Sequence, residues 1–473
     1  MENDKKLYMY VYRMILNDMY NGHYTYQNKL PSLLDLCEQY GVGRNTMRSA
    51  LNELQQDGYI VVKKGVQAKV IFNINNPEDF RKYKQELVNR KKMLQDAYET
   101  MELILPEVVV RCLAKATPKQ MEELNLKVDQ LPTKNIQNAR ELVEELYNIY
   151  LQAFSILENP LLNDIFITIM YSVNPATIDD QDNHHKLQQS LKMLKTMMKA
   201  ILKFSKKNEF IIKKGITKMC IGSSHNGMNY INELCEGMTV TQEKEFVWIS
   251  HKNMDYLYTK VVGSILRKIF YREYHKGTKL PSIQKISEEY DVSEKTTRKS
   301  LDVLREFKVI ETINGVGSIV IINDILNNKQ VIYNSDIMGY IKQYFYSVEL
   351  LSLIIECIAP KILKKASQDD LIEIKKSIEN TQVFTLEPLT NYIFSKSNKC
   401  LKVIYEELIK IMVWSIFINQ FIDSSKYDFI RIRKELYCAL ESQNVSKICY
   451  SIKETLQASL EAKEFIYKEN GMS

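Results

Sequence analysis

Near the N-terminus the apolar positions change period along the chain. From Tyr8 to Tyr20 they fall at Val11, Met14, Ile15 and Met19, a helical spacing. Leu30-Pro31-Ser32 then opens a second helix, with Ser32 as N-cap and Leu33, Leu36 and Cys37 as its inward stripe. Gly41-Val42-Gly43 predicts a tight turn. A third helix follows with Met47, Ala50, Leu51 and Leu54 inward, and Gly58 stops it. Beyond Gly58 the period shortens: Tyr59-Ile60-Val61-Val62 and Lys69-Val70-Ile71-Phe72 read as two strands around the turn Lys63-Lys64-Gly65. Two helices joined by a short turn and trailed by a hairpin form a winged helix-turn-helix, which lays its second helix in the major groove of DNA.

The same pattern returns. LPSLLDLCEQYGVGRNTMRSALNELQQDGYIVVKKGVQAKVIFN, from Leu30, aligns without a gap to LPSIQKISEEYDVSEKTTRKSLDVLREFKVIETINGVGSIVIIN, from Leu280, with sixteen of forty-four positions identical. A period of this length is a duplicated domain, since solenoid units run ~20–50 residues. The regions behind each copy are helical in period and share a fainter echo. In ATPKQMEEL and ASQDDLIEI, Thr117 and Ser367 stand three residues before Gln120 and Asp370, a capping-box spacing. Periodicity lapses near Asn73–Pro77, Thr241–Ser250 and Asn323–Lys329. The expected fold is therefore mainly α, with two winged helix-turn-helix domains at residues 1–75 and 248–325. An all-helical bundle domain follows each, at 76–247 and 326–473.

Composition narrows the function class. Of 473 residues 45% are hydrophobic and 26% charged, with only 15 glycines, which disfavours disorder and a Gly-rich nucleotide-binding enzyme. The longest apolar runs, Leu350–Ile355 and near Val413–Ile422, are too short to span a bilayer, and MENDKKLYMY lacks the order of a secretion signal. Eight cysteines without a CxxC pair fit a reduced, cytoplasmic chain. At a formal net charge of +6, any contact with nucleic acid must come from a local patch.

That patch is expected on the third helix of the first head, whose outward face carries Arg44, Asn45, Arg48, Asn52 and Gln55. Arginine pairs bidentately with guanine, and Asn or Gln with adenine. Lys63 and Lys64 at the wing suit phosphate or minor groove. In the second copy the face reads Glu294, Lys295, Arg298, Lys299, Asp302 and Arg305, and the wing turn Asn314-Gly315-Val316-Gly317 has no lysine.

LPS, a helix, the pattern V-[SG]-x-x-T-x-R-x-[AS]-L and a Gly-centred wing together resemble the GntR family of bacterial transcription regulators, over about 70 residues in each copy. The family's upstream I-x-x-G-x-L segment is echoed by Met19-Tyr20-Asn21-Gly22-His23-Tyr24, with Arg272 in place of that glycine in the second copy. The resemblance implies contacts to bases and phosphates from Ser32, Arg44, Thr46, Arg48 and Gly65, and from Ser282, Thr296, Arg298 and Gly315. Asn45, Lys63, Lys64, Lys295 and Lys299 join them by position. The family's Glu-Arg after LPS is replaced by Leu33-Leu34 and Ile283-Gln284, and Glu294 stands where the first copy has Arg44. A carboxylate facing phosphates is unfavourable, so the second head is expected to read a different half-site or to bind weakly.

ATPKQMEEL and LYNIYLQAFSILENPLLNDIF, broken at Asn159-Pro160, resemble the helical effector domain of the family's FadR branch, where an Asp and three histidines often hold a metal. Here Tyr150 takes the first histidine's place, the second helical region has no histidine, and His184, His185 and His225 lack the spacing. No metal, no cofactor and no catalytic residue is expected, leaving a metal-free pocket for a small-molecule effector. Lys192, Lys195, Lys199, Lys203 and Lys206 read as a solvated helix face opposite Leu191, Leu194, Met198 and Leu202. Met193, Met197, Trp414, Phe417 and Phe421 sit at core spacing.

The expected function is a sequence-specific DNA-binding regulator, a repressor by preference. It acts as a single-chain pseudo-dimer, its helical domains paired about a pseudo-two-fold, on an asymmetric operator in double-stranded DNA. No membrane partner is expected, and self-association remains open. The alternative is an interaction scaffold whose winged helices contact proteins and not DNA.

Overall fold

The structure, a computed structural model, describes the chain apart from residues 1, 64, 132–138, 174–191, 193–194, 251–254, 307, 323–334, 382–384, 413–414, 416–427 and 470–473. It is mainly helical. Its first unit comprises Lys6–Trp248 with Asn398–Val403, and its second Met1–Lys5, Ile249–Ser397 and Ile404–Ser473.

In the first unit, α1 (Glu2–Tyr20) buries Val11, Ile15, Leu16 and Met19 in the core of the head. Helix α2 (Leu33–Tyr40) starts at Ser32, whose hydroxyl accepts from the Asp35 amide while the Asp35 carboxylate accepts from the Ser32 amide. This capping box satisfies two donors that the helix leaves free. Leu36 and Tyr40 are buried, whereas Leu33 and Cys37 are half-buried. The Tyr40 hydroxyl donates to Asp18 at 2.5 Å, fastening α2 to α1. Gly41 turns the chain at φ 62°, and α3 (Arg44–Gln56) packs on α2 with Met47, Ala50, Leu51 and Leu54 buried.

The wing strands β1 (Ile60–Val61) and β2 (Lys69–Val70) pair antiparallel, but over two residues each and not the four that alternation predicts. The Ile71 and Phe72 amides both donate to the Tyr59 carbonyl, at 2.9 and 3.2 Å, so a bulge ends the ladder there. Phe72 thereby joins Tyr20, Tyr59 and Tyr83, with Tyr20 centroids 5.5, 6.1 and 4.9 Å from the other rings in the order Phe72, Tyr59, Tyr83. Tyr83 belongs to α4 (Pro77–Lys115), which Asn76 caps. Edge-on rings thus fix the head to the long helix behind it.

That helix carries the body: α5 (Pro118–Gln130), α6 (Ala139–Ser155), α7 (Pro160–Val173) and α8 (Glu209–Leu234). The Thr117–Gln120 and Ser367–Asp370 capping boxes both form. Between α6 and α7, Glu158 takes φ 54° and the Asn159 side chain accepts from the Leu161 and Leu162 amides, giving the break that Asn159-Pro160 predicts. Helix α8 runs along α4, and Glu107 of α4 binds Arg111 at 2.9 Å and Lys213 of α8 at 2.8 Å.

The second unit repeats the head with α9 (Asp255–Phe270), α10 (Ile283–Tyr290), α11 (Glu294–Glu306), β3 (Ile310–Ile313) and β4 (Gly317–Val320). Its wing has the full four-residue ladder, Ile310 opposite Val320 and Ile313 opposite Gly317. The body follows as α12 (Ser335–Leu363), α13 (Gln368–Glu379), α14 (Glu387–Ser395), α15 (Lys399–Ile411, from Ile404 onward), α16 (Phe429–Glu441) and α17 (Val445–Glu469).

The backbones of the two heads match even where the residues do not. Gly22, Gly41, Gly58 and Gly65 have φ of 76°, 62°, 72° and 75°, and their counterparts Arg272, Asp291, Lys308 and Gly315 have 59°, 50°, 54° and 76°. Three of these left-handed positions thus lack glycine in the second head, each at a cost of about 1–2 kcal/mol.

One reading of the sequence changes here. The lysine stripe ends early, because Lys203 and Lys206 lie in turns, while Lys195 donates to the Asp129 and Leu131 carbonyls and Lys199 pairs with Asp129. These two lysines bind the free carbonyls and negative pole at the end of α5, and so are not merely solvated. Lys64, His184, His185, Leu191, Met193, Leu194, Trp414, Phe417, Phe421 and the Asn323–Lys329 boundary lie outside the described residues.

Candidate nucleic-acid interface

In the first head Arg44, Asn45, Arg48 and Asn52 are exposed along one side of α3, and Thr46 is half-buried. Among the described residues Arg44 and Arg48 make no ion pair, so both guanidinium forks are free for a ligand. Gly43 precedes the helix without a side-chain cap, leaving its first amides open beside Arg44. Such amides and the positive helix pole favour phosphate.

Gln55 is not a free base reader. Its Oε1 accepts from the Val62 amide at 3.0 Å, so it positions the wing. Lys63 and Gly65 are exposed at the wing turn, where Gly65 needs its φ of 75°. Lys29, exposed and bridged to Lys69 beside the wing, adds a cation that the motif reading passed over. The signal was available, since Lys-Leu-Pro-Ser occurs in both copies. Ser32 and Ser282 each cap a helix, so their hydroxyl oxygens accept from the Asp35 and Lys285 amides.

The second head presents the same helix with its charges engaged. Arg298 pairs with Glu294 at 3.3 Å and Arg305 with Asp302 at 2.8 Å. Lys299 lies 3.9 Å from the Tyr258 ring centre, drawn back onto α9. The helix start is closed: the Ser293 hydroxyl accepts from the Thr296 amide at 3.1 Å and meets the Thr296 hydroxyl at 2.9 Å. Lys295 is exposed, as is Gly315 at the wing turn.

Behind the first head, α4, α5, α6, α8 and residues 198–202 line a cleft of about 470 Å³ with its open mouth included. Its lining is apolar, with Leu113, Val128, Ile149, Met198 and Ile216 beside Tyr150. Burial pushes the Tyr150 hydroxyl well above its ordinary pKa, so it stays protonated. His225 is exposed on α8, and among the described residues no three His, Cys, Asp or Glu side chains cluster as a metal would need. No helix among them is long and apolar enough to cross a membrane.

Two winged helix-turn-helix heads in one chain define a class of nucleic-acid-binding architecture. The family of bacterial regulatory proteins of the gntR type matches residues 7–70 and 257–320, so the chain carries two GntR-family domains. Members of this family are DNA-binding transcription regulators. The chain is 36% identical over 59 residues to the uncharacterized HTH-type transcriptional regulator YurK of Bacillus subtilis (strain 168), a stretch that is 12% of this chain and 24% of YurK. The match thus spans about a quarter of that relative. Among solved structures, Escherichia coli McbR/YncC aligns at 15% identity over 48% of this chain and 97% of its own, with a TM-score of 0.27. Streptococcus agalactiae GntR aligns at 17% identity over 43% and 99%, with a TM-score of 0.16. The family assignment rests on the two heads.

Proposed function

We propose that the chain is a sequence-specific transcription regulator that engages double-stranded DNA through both heads. The observation that carries this is the first recognition helix, where Arg44 and Arg48 stand exposed and unpaired beside an uncapped helix start. Arg44, Asn45 and Arg48 read bases, while Thr46, Ser32, Lys63, Lys64 and Gly65 hold phosphates. The second head, through Ser282, Lys295, Thr296, Arg298, Lys299 and Gly315, takes an unlike and weaker half-site. Tethering makes weak binding useful, since a linked second reader acts at roughly millimolar effective concentration.

The layout 1–75, 76–247, 248–325 and 326–473 gives each head its own helical body. An apolar effector in the cleft beside Tyr150 would change affinity to the extent that it binds one arrangement of the heads better. Repression is the simplest output, by occupancy of an operator. The Glu294–Arg298 and Asp302–Arg305 pairs favour a second reading for the second head alone, a contact to protein.

Selection of the full-length protein against a random duplex library at two salt concentrations tests the proposal. A bipartite motif with unlike halves is expected. One half-site alone would assign the second head to another partner, and no enrichment at either salt would remove the DNA reading. Within a selected site, Arg44→Ala should cost about 1–3 kcal/mol and relax one base position, whereas Lys63→Ala should weaken all sequences alike.

A further inference from the structure

Arg13 of α1 and Arg90 of α4 face one cleft where the first head meets its own body, with Tyr10, Asn17, Thr168 and Ser172 around them. All of these residues lie in the first unit. Arg90 is only 8% exposed, and it donates to the Asn17 side-chain oxygen at 3.1 Å and to the Ser172 carbonyl at 2.9 Å. Arg13 donates to the Glu245 carbonyl. Every one of these acceptors is neutral.

Among the described residues neither arginine has an ion-pair partner. Glu86 and Glu245 act on Arg13 without pairing with it, and the Glu245 carboxylate is held by Lys399 at 3.2 Å. Burial, and then the like charge of Arg90, pull the Arg13 pKa down to about 10. Against the two positive charges stand the unpaired fields of Glu86 and Glu245 and about half a negative charge from the end of α7 at Ser172. A buried charge such as Arg90 is rarely left uncompensated, because desolvation costs several kcal/mol per ion.

We infer that Arg13 and Arg90 form a binding site for a small oxyanion, a carboxylate or phosphate group, that supplies the ion-pair partner neither arginine has among the described residues. Each guanidinium keeps N–H donors beyond those engaged by Asn17, Ser172 and Glu245, and these suit the oxygens of such a group. The cleft is small and opens to solvent, so only a small anion can reach the two side chains. It is separate from the apolar cleft beside Tyr150, and anion binding there is independent of whether either head reads DNA. Because one arginine is on the head and the other on the body, the bound anion would fasten the two together.

Thermal unfolding of the full chain, at constant ionic strength in chloride buffer, is measured against inorganic phosphate and separately against citrate. A saturable rise in the unfolding temperature is expected, abolished in Arg13→Gln and in Arg90→Gln. Arg13→Gln relieves the repulsion, so without anion it should melt no lower than the parent and keeps the test valid should Arg90→Gln misfold. Saturation with phosphate alone identifies a phosphate group, with citrate alone a carboxylate, and with both a general oxyanion site. No saturable rise, an equal rise in Arg13→Gln, or a non-saturating rise of the kind excluded salts give every protein would overturn the inference.

Discussion

Neutralising the two carboxylates on the second recognition helix should convert that head into a stronger DNA binder. Its outward face holds Lys295, Arg298, Lys299 and Arg305 against Glu294 and Asp302, and the carboxylates hold Arg298 and Arg305. All four paired side chains are more than half exposed. Each pair is therefore worth no more than ~0.5 kcal/mol, and Glu294→Gln with Asp302→Asn should leave the fold intact. The gain on DNA is larger. Each cation freed onto a phosphate steepens the dependence of log affinity on log salt by about 0.9, so two give about 1.8. Between about 50 and 200 mM salt, that slope corresponds to roughly twelvefold additional loss of affinity. Fluorescence anisotropy on a labelled duplex spanning both half-sites would measure it. Glu311→Gln, an exposed change on β3 of the same head, controls for net charge alone. A slope unchanged from the parent, or matched by Glu311→Gln, would show that α11 does not meet the phosphates.

Three further outcomes follow from the packing. Lys308→Gly should stabilise the chain by roughly 0.5–1 kcal/mol, because relief of a left-handed residue outweighs the extra freedom of the unfolded glycine. Gly58→Ala should do the reverse by a similar amount, since the new Cβ meets only the Lys82 ammonium at an ordinary 3.7 Å; calorimetry of both variants checks the pair. Gly227→Ala in α8 would gain about 1 kcal/mol from helix propensity, yet its Cβ would sit 2.2 Å from the Tyr98 hydroxyl oxygen, so net destabilisation is expected, eased by Tyr98→Phe and read by urea midpoint. At Glu107 burial raises the pKa, but hydrogen bonds from Lys213 and Arg111 outweigh it and hold the carboxyl below the usual range. A depressed folded pKa means that its stabilisation is present above the unfolded value near ~4.3 and is lost as pH falls through the folded one. Lys213→Met should flatten that acid limb of a stability–pH profile, and an unaltered limb would remove the assignment.

The heads were legible because their signals are local. Leu-Pro-Ser places a cap, Met47, Ala50, Leu51 and Leu54 place a helix face, and the glycine between apolar runs places a wing. The wing's true extent was not, since the bulge at Tyr59 depends on where the rings of Tyr20 and Tyr83 arrive from distant helices. Side-chain engagement was harder still. Glu294 and Arg298 stand four apart, a pairing distance on any helix, yet the same residues equally describe a charged face open to DNA. Gln55 looks like a base reader until the Val62 amide comes within reach. Arg13 lies among the buried residues of α1, and only the arrival of α4 sets Arg90 beside it.

Comparing the two copies separates what folding requires from what binding requires. Arg272, Asp291 and Lys308 accept backbone strain that Gly22, Gly41 and Gly58 avoid, so the second head holds the same turns without the residues that make them easy. Its core positions still close, with Leu301, Leu304, Ile310 and Val320 buried. The constraint that persists is therefore the shape of the winged helix. On the outward face the copies diverge in kind: free guanidiniums and an open helix start on one, internal ion pairs and a closed start on the other. The two pairs on α11 leave its four cations in place while lowering the field they project. Before such a face could bind phosphate, its own pairs would have to yield.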